Sequence, residues 1–267
     1  MTGAVDPPEA APVHDAASVV LLRDGPAGVE VWLLTRVRQM SFAAGMSVFP
    51  GGRVDPADAD LALTGADVSA LAARFRCAEP TARALLGAAV RETFEETGVL
   101  LTVPSADLAA ARADVESGRV AFGDLLRDHG LAADASGVQP WARWVTPVGE
   151  PRRYDTRFFV AALPAGVEAA DVSTESSSAG WLPVGEALEQ AQRGERMLLP
   201  PTLKTITTLL PFGSVAQVLA ASADRVLDAV QPRLQVGDDG AVSVLMPDGE
   251  FIAMPARPAD SALPTAP

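Results

Sequence analysis

The stretch RETFEETG, Arg91 to Gly98, sets an arginine and three glutamates within six residues and closes on a glycine. Carboxylates this close repel one another, so the pattern calls for positive charge among them. Hard oxygen ligands of this kind suit Mg2+ or Mn2+. Upstream, FPGGRVDPAD (Phe49 to Asp58), whose Gly52 lies thirty-nine positions before Arg91, reads as a strand running into a Gly-Gly turn. Each stretch reads as half of one phosphate-and-metal motif, with the halves held far apart in the chain.

The element that carries the acids is predicted as a helix over 81–97, with Pro80 before it and Gly98 as its stop. At about 100° per residue, Glu92 and Glu96 are i,i+4 neighbours and Glu95 lies beside them. Leu86, Val90, Phe94 and Thr97 fall on the opposite side, free to pack on a sheet. Arg91, one turn before Glu95, offsets part of the negative charge, and a divalent cation would offset the rest. The plainer alternative is a solvated acidic face with an incidental ion pair.

Together these residues resemble the box of the Nudix hydrolases, a family that hydrolyses nucleoside diphosphates linked to another group. Gly52 matches the opening glycine of the pattern, and Arg91, Glu92, Glu95, Glu96, Gly98 and Val99 match its second half. Asp58, six residues after Gly52, stands where the first glutamate is expected, while the residue at the family's offset from Arg91 is Arg83. Thr93 occupies a position the family prefers apolar. The box is interrupted by 25 extra residues. Such an insertion costs only about 0.6 kcal/mol per doubling of a flexible loop, provided it leaves and returns at one point.

The resemblance implies that Glu92, Glu95 and Glu96 ligate Mg2+ or Mn2+, with Gly52 offering its backbone carbonyl. It also implies that Arg91 orients the glutamates, and that the cation polarises a bridging phosphate and activates the attacking water. Many members draw a further carboxylate from a loop shortly before a Trp-containing strand. Glu175, six residues before Trp181, is the candidate general base or extra ligand.

Around these residues the chain alternates strand and helix without a regular βαβ beat. ASVVLLRD and VEVWLLTR, split by GPAG, give a hairpin, and ADVSALAARFRC gives a helix inside the insertion. Two short helices, strands at ARWVTP and YDTRFFVAALP, a strand running into a helix at AGWLPVGEALEQAQRG, and helices at PPTLKTITTLL and SVAQVLAASADRVLDAV follow. The last segment, around DDG and PDG, reads as a hairpin or meander. The fold class expected is α+β, an α/β/α sandwich of the Nudix kind. Its mixed central sheet is flanked by helices, with a helical insertion and a C-terminal helical and β extension. We expect residues 1–16 as a flexible tail, 17–210 as the Nudix domain with its insertion at about 56–80, 211–255 as the extension and 256–267 as a second tail. The extension is open to shaping the pocket or to a homodimer contact.

Composition narrows the partners. A net charge of −13 argues against general nucleic-acid binding, though a divalent cation can invert the local sign for a small anionic substrate. The chain has one cysteine, Cys77, and one lysine, Lys204, which leaves little room for a multi-cysteine metal site or Schiff-base chemistry. No run of eighteen apolar residues suggests a membrane span, and the acidic first eighteen residues lack the apolar core of a secretory signal. A cytoplasmic address is the expectation.

For the substrate, FPGG, WVTP, RRYDTRFF and the Glu175–Trp181 segment resemble the coenzyme A diphosphatase branch that includes the peroxisomal animal enzymes. LLTRVRQMSFAAGMSVFPGG keeps Leu33, Leu34, Thr35, Gly45 and Phe49 to Gly52 of that branch's signature, with the arginine one residue early as Arg36 and the segment one residue short. Coenzyme A needs cations for its phosphates and a flat surface for adenine. Arg36, Arg38, Arg152, Arg153 and Arg157 are candidates for the first, and Tyr154 or Phe49 for the second. Other readings are a Nudix diphosphatase for a dinucleotide or nucleotide sugar, and a nucleotide-binding or regulatory module without turnover.

Overall fold

The computed structural model describes residues 11–37, 45–170, 174, 176–237 and 242–253. Strands β1 (Val13–Gly25) and β2 (Gly28–Arg36) form the expected hairpin, closing at Gly25 and Gly28. Short strands β3 (Ser47–Val48) and β4 (Gly51–Arg53) follow, so the Gly-Gly pair lies in a paired strand. The insertion contributes a 3-10 turn (Pro56–Asp60), β5 (Leu63–Thr64) and α1 (Val68–Phe75). The acid-bearing helix is α2 (Glu79–Thr97). It starts two residues before the predicted point because Glu79 and Pro80 occupy its first turn, where a proline costs no hydrogen bond. Then come β6 (Thr102–Val103), α3 (Arg112–Glu116), α4 (Phe122–Asp128) and β7 (Ala132–Asp134).

The sheet resumes with β8 (Gln139–Val145), β9 (Arg153–Ala162) and β10 (Ser176–Pro183). Helices α5 (Val184–Gln192), α6 (Pro200–Leu209) and α7 (Val215–Ala221) follow. Strand β11 (Ala229–Val230) then pairs with β8, where the sequence predicted a longer helix, and a meander of β12 (Arg233–Val236), β13 (Val242–Leu245) and β14 (Phe251–Ala253) closes the described chain. The main sheet runs β10-β2-β1-β9-β8-β11, with β3 on β2 and β4 on β1. It is mixed, because β1 and β9 pair parallel while β1 and β2 pair antiparallel.

The unbroken apolar run Val19–Leu22 follows from this position. All four side chains are fully buried, and alternation along β1 sends Val19 and Leu21 to one face and Val20 and Leu22 to the other. Helices α1, α2 and α4 cover the first face, while α5, α6, α7 and Val244 and Met246 of the terminal meander cover the second. The result is the α/β/α arrangement expected. One boundary is corrected: residues 13–16, expected in the N-terminal tail, are strand, because β9 pairs with all four of them and β4 joins from the other side at Ala16. Among the described residues no helix is long and apolar enough to cross a membrane.

The insertion is pinned to α2. Asp55 and Asp58 form a reciprocal capping box around the 3-10 turn. Arg83 donates from Nε to the Ala59 carbonyl at 2.8 Å and from Nη2 to the Leu61 carbonyl at 2.6 Å. Gly87 lets the turn come close: a β-carbon there would lie 2.2 Å from the Asp58 carbonyl oxygen. Leu61, Leu71, Ala72 and Phe75 then sink into the core on the α2 side. In an open helix Gly→Ala gains about 1 kcal/mol of propensity, but overpacking against backbone typically costs about 1–3 kcal/mol. We expect the clash to win, so Gly87→Ala should lower stability in urea denaturation. A variant as stable as the wild type or more so would show that the turn does not sit there.

Candidate active site

Helix α2 places its three glutamates beside β4 instead of presenting them to solvent. Leu86, Val90 and Phe94 are fully buried, as their spacing predicted. Glu92 and Glu96 are also buried, at 8% and 6% exposure, because the Gly-Gly segment lies across them. Gly51 N donates to Glu96 Oε2 at 2.8 Å. A β-carbon on Gly52 would stand 2.4 Å from Glu92 Oε1, so a larger residue there would have to push the carboxylate aside. Thr93, in a position the pattern prefers apolar, spends its hydroxyl on the Ala89 carbonyl at 2.7 Å and is fully buried. It therefore serves as a packing residue.

Arg91 is the centre of the cluster. Its Nε and Nη2 donate to the two carboxyl oxygens of Asp58 at 2.8 and 2.9 Å, a bidentate pair. Its Nη1 donates to Glu92 at 2.8 Å and reaches both oxygens of Glu95 at 3.4 Å, and Nη2 also meets the Arg53 carbonyl at 3.1 Å. Burial alone would lower the guanidinium pKa, but the Asp58 hydrogen bond and the charges of Glu92, Asp58 and Glu95 outweigh it and hold it above its ordinary value. Asp58 is 2% exposed and also accepts from Asp55 N at 2.8 Å. It occupies the first acidic position of the box as a support for Arg91.

The donor set fits a divalent cation. Three carboxylates offer hard oxygens on one helix face, and the Gly52 backbone lies against Glu92. Among the described residues no three acidic, histidine or cysteine side chains already stand as a metal cage, and in this arrangement Arg91 holds Glu92 and Glu95 to itself. Burial lifts the Glu92 carboxyl to about 7, with Arg91 opposing and Glu95 adding to the rise. Burial lifts Glu95 as well, again against Arg91.

The other candidates divide. Arg36 lies half-buried at the end of β2, on the α2 face by alternation from Trp32. Tyr154 is half-buried on the opposite face with Phe158, its ring centroid 6.5 Å from that of His14. Three expectations are corrected. Phe49 is 3% exposed and packs edge-on against Phe158, so it is core and not a platform for a base. Arg153 is buried and spends its guanidinium on the carbonyls of Thr146, Pro147 and Ala11. Arg157 is buried in ion pairs with Asp15 and Asp155. Arg38 and Glu175 lie outside the described residues. Sequence reading missed the roles of Arg83 and Gly87, which show only once the insertion is folded back. It also missed Arg112, whose Nη1 donates to the Glu95 carbonyl at 2.7 Å.

A mixed sheet between two helical layers, with a Gly-Gly strand set over a helix of clustered glutamates, is the arrangement of a Nudix hydrolase. Residues 70–209 match the family model described as the NUDT19 Nudix domain. The chain belongs to the Nudix hydrolase family, whose members hydrolyse diphosphate bonds and depend in general on a divalent cation. It is similar to a NUDIX hydrolase from Alicyclobacillus acidocaldarius of known crystal structure. That match has 31% identity and a TM-score of 0.69, over 79% of this chain and 96% of that one. It is also similar to the acyl-coenzyme A diphosphatase NUDT19 of Gallus gallus, 28% identical over 84% of this chain and 73% of that protein. The Xenopus laevis protein of the same name is 26% identical, over 82% and 70%.

The Glu92 shift fixes a sign for the metal-free protein. Between about pH 4.5 and 7 the folded chain keeps a proton on Glu92 that the unfolded chain releases, so stability falls as pH rises through that window. At about 1.4 kcal/mol per pKa unit the fall attributable to Glu92 is on the order of 3 kcal/mol. Glu92→Gln should flatten it when urea denaturation is measured in chelator across that range. An unchanged slope in the variant would refute the assignment.

Proposed function

We propose that the chain splits the diphosphate of coenzyme A or an acyl-coenzyme A, giving 3′,5′-ADP and a 4′-phosphopantetheine product. The observation that carries the hydrolytic reading is the seating of Gly52 against Glu92, with Arg91 bound at once to Asp58, Glu92 and Glu95. The choice of substrate is supported by the Gallus and Xenopus relatives, which are named as acyl-coenzyme A diphosphatases.

In this reading Glu92, Glu95, Glu96 and the Gly52 carbonyl hold Mg2+ or Mn2+. The bound cation supplies a Lewis acid for a phosphoryl oxygen and a lowered pKa for the attacking water. Arg91 fixes the carboxylates in place and is itself fixed by Asp58. Gly51 N holds Glu96 toward the turn. Glu175 is the general base, taking the proton of the attacking water as one P–O bond forms and the anhydride P–O bond breaks. Arg36, Arg38 and Tyr154 remain the candidates for contacts with the phosphates and adenine.

The test is a hydrolysis screen of purified protein with Mg2+ or Mn2+ on coenzyme A, acyl-coenzyme A, dinucleotides and nucleotide sugars, with products identified by mass spectrometry. We expect 3′,5′-ADP from the coenzyme A substrates. We also expect kcat to fall on the order of a hundredfold or more in Glu96→Gln, with the fold retained. Faster turnover of a dinucleotide or nucleotide sugar would replace the substrate. A ligand that raises Tm but stays intact with metal present would turn the reading to a binding module.

A further inference from the structure

Helix α2 ends with no basic residue in its last turn, and its last carbonyls carry partial negative charge. At Gly98 the chain takes a left-handed φ of 74°, and the Gly98 N–H closes the helix on the Phe94 carbonyl at 2.9 Å. The next donor then leaves the ladder. Val99 N meets the Thr97 hydroxyl at 3.1 Å, where a continued helix would have taken it to the Glu95 carbonyl. That carbonyl finds its partner outside the helix. Arg112, the first residue of α3, is 8% exposed and donates to it from Nη1 at 2.7 Å. The same nitrogen meets Glu116 Oε2 at 2.9 Å, one turn along α3, so the buried guanidinium is also paired in charge.

The bond acts on the turn that carries two of the three glutamates. The Glu96 carboxylate accepts from Gly51 N at 2.8 Å. The Glu95 carboxylate is held more loosely, with both oxygens 3.4 Å from Arg91 Nη1. Side-chain contacts therefore fix Glu95 least, and its place depends on the backbone beneath it. Arg112 holds that backbone through a charge-assisted bond, the stronger kind. A helix end whose carbonyls lack partners frays. Arg112 lies beyond the Nudix box in the chain, and its guanidinium binds the backbone of Glu95 and not the carboxylate.

We propose that Arg112 is a positioning residue for the cation site, which by holding the Glu95 carbonyl keeps Glu95 and Glu96 placed to bind Mg2+ or Mn2+. It rests on the reading of the α2 glutamates as the cation's ligands. The sign of its effect is opposite to that of plain electrostatics. Removing a positive charge beside an acidic cluster deepens the local negative potential, which by itself tightens a cation. Releasing the turn loosens the cation, because the carboxylates must be ordered again each time one binds. The second effect wins: groups that orient metal ligands from behind typically cost about 10–100-fold in metal affinity when lost.

Variants of the full chain test this, read by Mn2+ affinity and by hydrogen exchange in metal-free buffer. Arg112→Met keeps most of the side chain's length and removes its donors. Arg112→Met combined with Glu116→Gln does the same with net charge unchanged and no buried charge left unpaired. Both should bind Mn2+ about tenfold more weakly than the wild type. In both, exchange at the Gly98 and Val99 amides should quicken at least about tenfold while amides in the middle of α2 keep their rates. Arg112→Lys, which keeps a charged donor, should recover most of both losses. Unchanged or tighter Mn2+ binding in the double variant, or equal quickening along all of α2, overturns the proposal. Should Arg112→Met alone not fold, the double variant decides by itself. Wild-type Mn2+ binding in Glu96→Gln would instead remove Glu96 from the cation site, and exchange at Gly98 and Val99 would still decide whether Arg112 holds the turn.

Discussion

Asp58, Glu92 and Glu95 are drawn together around the single guanidinium of Arg91, and the rest of the molecule is arranged so that they can be. Two like charges about 4 Å apart near a protein surface repel by about 4 kcal/mol at an effective dielectric near 20, and burial raises the cost of each. A helix bearing these acids and nothing else would turn them to water. Here α2 is sealed against the sheet by Leu86, Val90 and Phe94, while the Gly-Gly strand and the inserted turn close over its other side. The acids stay buried because Arg91 answers three of them at once and Gly51 N answers Glu96. The lifted pKa of Glu92 is what remains of the conflict: one proton is held where a cation with hard-ligand preference would compete for it.

The insertion belongs to this balance. It leaves the sheet after β4 and returns at the start of α2, and its first turn is the part that touches the cluster. Asp58 does two things with one carboxylate, closing the capping box of its own turn and gripping Arg91. Loop-closure entropy rises only slowly with length, so the further residues of the insertion carry little penalty once their apolar side chains are buried. Leu61, Leu71 and Phe75 join the core on the α2 side, and Arg83 satisfies two carbonyls that the turn would otherwise leave without partners. The break in the box thus adds a packed layer over α2 and keeps the spacing between Gly52 and its acidic partner.

Elements whose signal is local were legible from the sequence. The β1–β2 hairpin announced itself through β-rich runs split by GPAG, and α2 through its spacing and its terminal glycine, which takes a left-handed φ of 74°. The glutamates and Arg91 were legible because their spacing on a helix is itself the chemistry. Residues whose role depends on contacts across the fold were not. Phe49 and Arg153 have the chemistry of substrate contacts, and only the packing shows them occupied, one by Phe158 and one by three carbonyls. The strand at residues 13–16 reads as acidic tail until β9 and β4 offer it hydrogen bonds. Gly87 looks like a flaw in a helix until the Asp58 carbonyl is placed against it.

The two ends of α2 are held by different means, and the difference follows from the helix dipole. The N-terminal half is fixed through side chains, by Arg83 on the inserted turn and by the buried faces of Ala82, Leu85 and Leu86. The C-terminal turn, where backbone carbonyls accumulate negative charge, sits beside three glutamates that worsen that charge. A cation there has to come from elsewhere in the chain, because a basic residue in the last turn of α2 would compete with any metal for the same carboxylates. Arg112 meets this requirement from α3: it reaches the Glu95 carbonyl and directs its remaining charge to Glu116, away from Glu92 and Glu96. The acids keep their negative potential for a cation, while the backbone beneath them is neutralised from behind.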